Sequence, residues 1–225
     1  MIFKEFNPKI HDYHKVAELM YSVDFRTYLE VFKTKENAIV AIEDLLLVEN
    51  EEITNSKNQE DVDGFSKIYI ILDDNDFKNN DNENKANISS KDIIGILQVV
   101  KGEKYNLLTY ALYLLIKLKL SYALKFSYIS FLDSLVLSNF NEDDLYLAEI
   151  AIDESQRGKG LGTKIIKKVI EKTKKKGFKR VVLDTDLRNI GATKLYESLG
   201  FKKFDEKSPR FFNKERGMNN MEYIL

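Results

Sequence analysis

Three glycines at alternate positions, Gly158, Gly160 and Gly162, separate an apolar strand pattern ending at Ile152 from a helix pattern with Leu161, Ile165, Ile166, Val169 and Ile170 on one face. Arg157 and Lys159 interleave with them, and Thr163 follows. The free amides at the start of a helix carry partial positive charge, and glycines let a phosphate approach the backbone. An ordinary strand-to-helix turn needs one glycine, so three with two cations read as a cradle for a phosphate or pyrophosphate. The spacing excludes a P-loop, which needs four residues between its glycine and Gly-Lys-Ser/Thr. It also fails the dinucleotide fingerprint, whose third glycine would fall at Thr163. Asp184, about 20 residues downstream at a strand end, imitates the ribose-binding acid of a dinucleotide site and keeps that alternative open.

Arg157-Gly158-Lys159-Gly160-Leu161-Gly162, placed after an apolar strand, resembles the acyl-CoA pyrophosphate loop of the GNAT acetyltransferases. A second stretch, Asn189 to Phe201, is similar to that family's following helix and turn, with matching Asn189, Ala192, Leu195-Tyr196 and Gly200-Phe201. The resemblance covers residues 145–225 well and residues 1–102 only in the order of elements; it does not reach 103–141. It implies acetyl-CoA as acyl donor and an amine as acceptor. Residues 157–163 would hold the pyrophosphate, and the main chain of Ile150 and Ile152 would pair with pantetheine. Asn189 and Ala192 would lie along the cofactor, and Tyr196 would be the general acid, also touching the cofactor. Read from the residues alone, Tyr196 shares a helical face with Ala192, Leu195 and Leu199 and is a core aromatic with its hydroxyl at the rim, while Asn189 caps its helix.

Glu149 is the only charge within residues 145–152. A buried carboxylate there has a raised pKa and suits proton abstraction from an ammonium. The alternative is a solvent-facing residue on a splayed strand, with Asp184 and Asp186 as rival bases. His11 and His14 stand one turn apart without nearby ligands and read as a solvated helix face, so no metal is expected.

The elements that must position these residues follow from periodicity. Strands are expected at 1–6, 68–72, 93–100, 145–152, 180–185, 201–205 and near 221–225. Spacings of three and four predict helices through Val16–Met20, Tyr28–Phe32 and Ile39–Leu46, then over 160–176 and 190–199. The acidic stretch 49–63 reads as a solvated connection and 73–91 as a loop. The expected fold is α/β (α+β): one domain over 1–225, with a mixed, mostly antiparallel sheet flanked by helices. Residues 103–141 form a helical insertion between the third and fourth strands. Its apolar content fits three roles: a wall over the acceptor pocket, a homodimer interface, or ordinary core.

Composition narrows the class further. The chain has 225 residues, 35 Lys plus Arg, 36 Asp plus Glu and no Cys. Zero cysteines exclude a disulfide scaffold and a thiol nucleophile, so acetyl transfer would be direct. The first residues lack the apolar run of a signal peptide, and Lys117, Lys119 and Lys125 interrupt the one Leu-rich stretch, so a cytoplasmic protein without a membrane span is expected. Near-neutrality is a cancellation: residues 1–141 sum to minus six and residues 142–225 to plus five. The basic excess falls with the glycine turn, and the acidic excess points weakly to a cationic acceptor. The lysines of 164–176 lack interleaved aromatics and read as a solvated face. Two further readings stay open: a CoA-binding sensor without turnover, and a nucleic-acid module using that lysine helix.

Overall fold

The computed structural model describes residues 1–55, 66–73, 88, 90–101, 106–209 and 217–225. Its seven strands are β1 (Ile2–Glu5), β2 (Ser66–Leu72), β3 (Ile93–Lys101), β4 (Asp144–Ile152), β5 (Arg180–Asp186), β6 (Lys202–Lys207) and β7 (Met218–Ile224). They form one sheet in the order β1-β2-β3-β4-β5-β7-β6. Every pairing is antiparallel except β4 with β5. The helix that joins those two strands, α6 (Leu161–Lys175), makes this the one parallel crossover among the described residues.

Among the described residues five helices precede it: α1 (Tyr13–Val23), α2 (Phe25–Phe32), α3 (Lys35–Asn55), α4 (Leu107–Lys117) and α5 (Leu120–Ser134). They bury Val16, Phe32, Ile42, Leu46, Leu114 and Phe126 with Ala151 of β4 in one cluster. On the other side of the sheet, Ile165, Ile166 and Val169 of α6 pack with Leu147, Val181, Leu183 and Phe201, next to α7 (Ile190–Ser198). Among the described residues, no helix is long and apolar enough to cross a membrane.

The order of elements is the expected one, and residues 107–134 are a helical hairpin between β3 and β4. Two expectations need correction. Helix α3 continues through Asn55 into the stretch read as a solvated connection. The reason is local: Glu49 extends the buried stripe Ile42, Leu45, Leu46 by one more turn, and its carboxylate accepts from the Tyr110 hydroxyl at 2.9 Å. The remainder of that connection, most of the expected 73–91 loop and residues 103–105 lie outside the described residues. His11 is not on a solvated face: it is buried ahead of α1, and its Nδ1 accepts from the Asn7 amide at 2.9 Å.

The pairing of β4 with β5 sets the geometry of the centre. It runs only from Asp144 opposite Arg180 to Leu147 opposite Leu183, although both strands continue. The closed end is clamped by Arg180, whose Nε and Nη2 donate to Asp144 at 2.7 and 2.8 Å and whose Nη1 donates to Glu222 of β7 at 2.7 Å. Past Leu147 the two strands are no longer paired.

Candidate active site

A bulge in β4 governs which side chains face which way. Gln98 pairs with Glu149, but Val99 pairs with Leu147, so Ala148 is an extra residue on β4. Leu145 and Leu147 pack on the α6 side, and so do Ile150 and Ile152. The extra residue therefore turns Glu149, with Ala151, to the face covered by α1–α5.

The main chain beyond the bulge turns part of its polar groups away from β3. Asp153 N donates to Ile94 O at 2.9 Å, which makes Asp153–Ile94 a hydrogen-bonded pair. Antiparallel ladders alternate, so the amides and carbonyls of Ile150 and Ile152 point away from β3, into the gap left by β5. The Ile152 carbonyl is capped by Arg157 Nε at 3.1 Å.

The glycine turn continues from there. Gly158 and Gly160 have φ of +76° and +70°, a region that disfavours side chains, and a Cβ at either would meet nothing within 4 Å. Gly160 is the N-cap of α6 and supplies no capping side chain. The backbone amides of residues 158–163 have no acceptor among the described residues. Open space over a row of unpartnered amides at the start of a four-turn helix is what a pyrophosphate requires. Lys159 lies alongside, its Nζ donating to Gln156 at 2.7 Å. Gly162 has a different role: a Cβ there would stand 3.3 Å from Leu195 Cδ2, so this glycine lets α6 and α7 approach.

That approach brings Tyr196 to the same side of the sheet as Ile150 and Ile152. Its ring packs on Phe201 with centroids 5.7 Å apart, and burial pushes its hydroxyl up to about 12. Asn189 caps α7 by accepting from Ala192 N at 3.1 Å. Of the rival bases, Asp184 is fully engaged: it accepts from the amide and hydroxyl of Ser138, from the Tyr146 hydroxyl and from the Asn220 amide. Asp186 is ion-paired with Arg188 at 2.5 Å, and that contact holds its carboxyl below the usual range. These partners leave neither acid free for proton abstraction or for a ribose.

Glu149 contrasts with both. The side chain as a whole is only partly buried, but Oε2 is sealed from solvent and has no hydrogen-bond partner. Burial, then the charges of Asp133, Asp24 and Glu49, push its carboxyl up to about 8. Glu49 is itself pushed up to about 7 by burial. Tyr28 and Tyr110, both raised well above the ordinary tyrosine value by burial, complete the surroundings. Sequence reasoning missed Glu49, Asp133, Asp24 and Tyr110. One signal was present, since Glu49 stands where the next apolar residue of the α3 stripe belongs.

Two comparisons bear on this arrangement. The pattern of the Acetyltransferase (GNAT) family matches residues 127–201, which span the bulged strand, the glycine turn, α6, β5 and α7. N-alpha-acetyltransferase 30 of Xenopus laevis is 45% identical over 56 residues, 25% of this chain and 20% of that protein. Residues 127–201 thus carry the pattern of the GNAT superfamily.

A second GNAT relative, N-alpha-acetyltransferase 30 of Schizosaccharomyces pombe, is 32% identical over 80 residues, 36% of this chain and 51% of that protein. The matched segments thus span about half or less of the length of these relatives. Among solved structures, an N-acetyltransferase from Staphylococcus aureus Mu50 superposes with a TM-score of 0.62 at 19% identity, covering 99% of this chain and 100% of that one. This likeness extends the GNAT fold over the whole length.

Proposed function

We propose that this GNAT protein transfers an acetyl group from acetyl-CoA directly to a primary amine of a cationic acceptor. The observation that carries the reading is the juxtaposition across β4. One face and the outward main chain of Ile150 and Ile152 adjoin the glycine turn, while the other face presents Glu149, whose Oε2 is buried and has no hydrogen-bond partner.

In this reading the amides of residues 158–163, with Arg157 and Lys159, hold the pyrophosphate of the donor. Ile150 and Ile152 offer main-chain groups to its pantetheine arm, with Asn189 and Ala192 alongside. Glu149 accepts a proton from the acceptor ammonium, and the freed amine forms the C–N bond at the thioester carbon. A β4 amide hydrogen-bonds the resulting oxyanion. As the C–S bond breaks, the adduct nitrogen releases its remaining extra proton to solvent, and the Tyr196 hydroxyl gives the departing sulfur its proton and is reprotonated from solvent. With its pKa near 12 it is protonated at every working pH, as a donor must be. The chain has no cysteine, so the acetyl group goes straight to the amine.

The carboxylates Glu149, Glu49, Asp24 and Asp133 lie within electrostatic reach of one another, and this supports a positively charged acceptor, either a small amine or a protein amino terminus. The lysine face of α6 is partly used within the chain: Lys168 donates to the Met1 carbonyl at 2.8 Å and Lys175 to Glu171 at 2.6 Å. That weakens its reading as a nucleic-acid surface.

Thiol release tests the proposal. Because the chain contributes no thiol, a thiol reagent reports free CoA alone. Acetyl-CoA plus a panel of primary amines, basic peptides included, should give amine-dependent release. CoA binding without release by any member would make the protein a non-catalytic CoA binder.

A further inference from the structure

Helix α4, Leu-Leu-Thr-Tyr-Ala-Leu-Tyr-Leu-Leu-Ile-Lys, is apolar almost all round, a pattern that belongs to a helix covered on every side. One side is covered by its own chain. Leu114 is fully buried, Tyr110 reaches Glu49, and the Tyr113 hydroxyl donates to Val48 O at 3.3 Å. Antiparallel to it, α5 buries Ala123 and Phe126, the latter 5.3 Å from Phe32 between ring centroids.

The opposite side is bare among the described residues. On α4, Leu108, Leu112, Leu115 and Ile116 form one stripe at spacings of three and four; on α5, Leu120, Leu124, Tyr128 and Phe131 form another. These eight side chains are 41–80% exposed, and they are eight of the eighteen large hydrophobics exposed among the described residues. Single exposed hydrophobics are normal on any protein, but a contiguous patch on this scale is not.

We infer that the outer face of the α4–α5 hairpin is where two copies of this chain associate, their hairpins packing into a four-helix layer.

Area favours this occupant. The eight side chains expose on the order of 800 Å², about what one partner contributes to a standard protein interface. Shape favours it as well, since stripes spaced at three and four interdigitate with a second pair of the same kind. Charge offers no obstacle, because two of the hairpin's lysines turn back onto their own chain. Lys119 lies 3.3 Å from Asp44, and Lys125 sits 4.9 Å over the Phe32 ring. An isologous contact there would also stiffen the wall that carries Tyr110 and Asp133 towards Glu149. The inference rests on the packing of the hairpin and stands or falls apart from the catalytic reading.

Sedimentation of the full chain at micromolar concentration should give twice 26.2 kDa. The double variant Ile116→Lys/Leu124→Lys should give 26.2 kDa with an unchanged far-ultraviolet spectrum. If that variant does not fold, cross-linking decides. In this cysteine-free chain Leu112→Cys should be joined into dimers by a short bis-maleimide far faster than Val40→Cys, which is exposed on α3. A monomeric wild type, a double variant that folds and stays dimeric, or equal cross-linking at the two positions would overturn the inference. So would monomeric chain that floats with anionic vesicles, because the face would then be a membrane contact.

Discussion

Glu49 and Tyr110, 61 residues apart in the chain, meet through a 2.9 Å hydrogen bond that ties α3 to the helical hairpin. The contact brings the apolar insertion onto the acidic cluster around Glu149.

Activity should depend on pH through Glu149. A base must be unprotonated, and this carboxyl is pushed up to about 8. The rate at low acceptor concentration should rise with pH and level off above pH 8, being roughly a hundredfold lower two units below. Glu149→Gln should abolish the rise and lower kcat/KM at the plateau by about a hundredfold or more. An unchanged profile in that variant would remove Glu149 from the chemistry.

Stability should move the opposite way. Between the ordinary glutamate value and pH 8 the folded chain keeps a proton on Glu149 that the unfolded chain releases, so stability falls as pH rises through that window. Glu149→Gln removes this dependence. Its melting temperature should exceed the wild-type value at pH 8.5, by an amount equivalent to about 1 kcal/mol or more, and match it at pH 5.

Tyr196 should act on turnover alone. Tyr196→Phe keeps the ring contact with Phe201 and deletes the hydroxyl. Titration with acetyl-CoA should give nearly the wild-type Kd, while kcat drops by about tenfold to a hundredfold or more. Equal losses in both would make Tyr196 a packing residue.

The glycines should separate by role. Gly160→Val projects a branched side chain into the space above the α6 amides, and it should abolish acetyl-CoA binding at a backbone cost of about 1–2 kcal/mol. Gly162→Ala instead meets Leu195, so its first effect should be on melting temperature, and Leu195→Ala should relieve it. Calorimetry of the two variants side by side tells cradle from packing.

Arg180 should be structural. Arg180→Met leaves Asp144, whose side chain is 3% exposed, without its two-pronged ion-pair partner at the closed end of the β4–β5 split. Denaturant unfolding should show a loss of about 3–5 kcal/mol.

The fold was legible where local pattern and tertiary contact agree. The strand-turn-helix from Ile150 to Val169 and the Asn189–Phe201 helix and turn could be read because backbone demands specify residue types there, glycine at positive φ and asparagine at a helix cap. The acceptor side was less legible for two physical reasons. The Ala148 bulge breaks the period of two, so alternation alone would put Glu149 on the same face as Leu147. The acidic cluster is also assembled from Asp24, Glu49, Asp133 and Glu149, which lie on separate elements. Besides Glu149, the lone charge of its strand, only Glu49 left a trace, as a charge on an apolar stripe, and the acidity of the residues after it disguised that trace as a solvated connection. Asp184 misled in the reverse sense: its spacing resembles a ribose-binding acid, whereas Ser138, Tyr146 and Asn220 occupy it.

The central claim is that the glycine turn and the outward main chain of β4 hold acetyl-CoA, and thermal unfolding with and without that ligand tests it most directly. At a hundred times its Kd, acetyl-CoA should stabilise the chain by roughly 2.7 kcal/mol, and the gain should vanish in Gly160→Val. No shift of the melting transition with either acetyl-CoA or CoA at millimolar concentration would contradict the account.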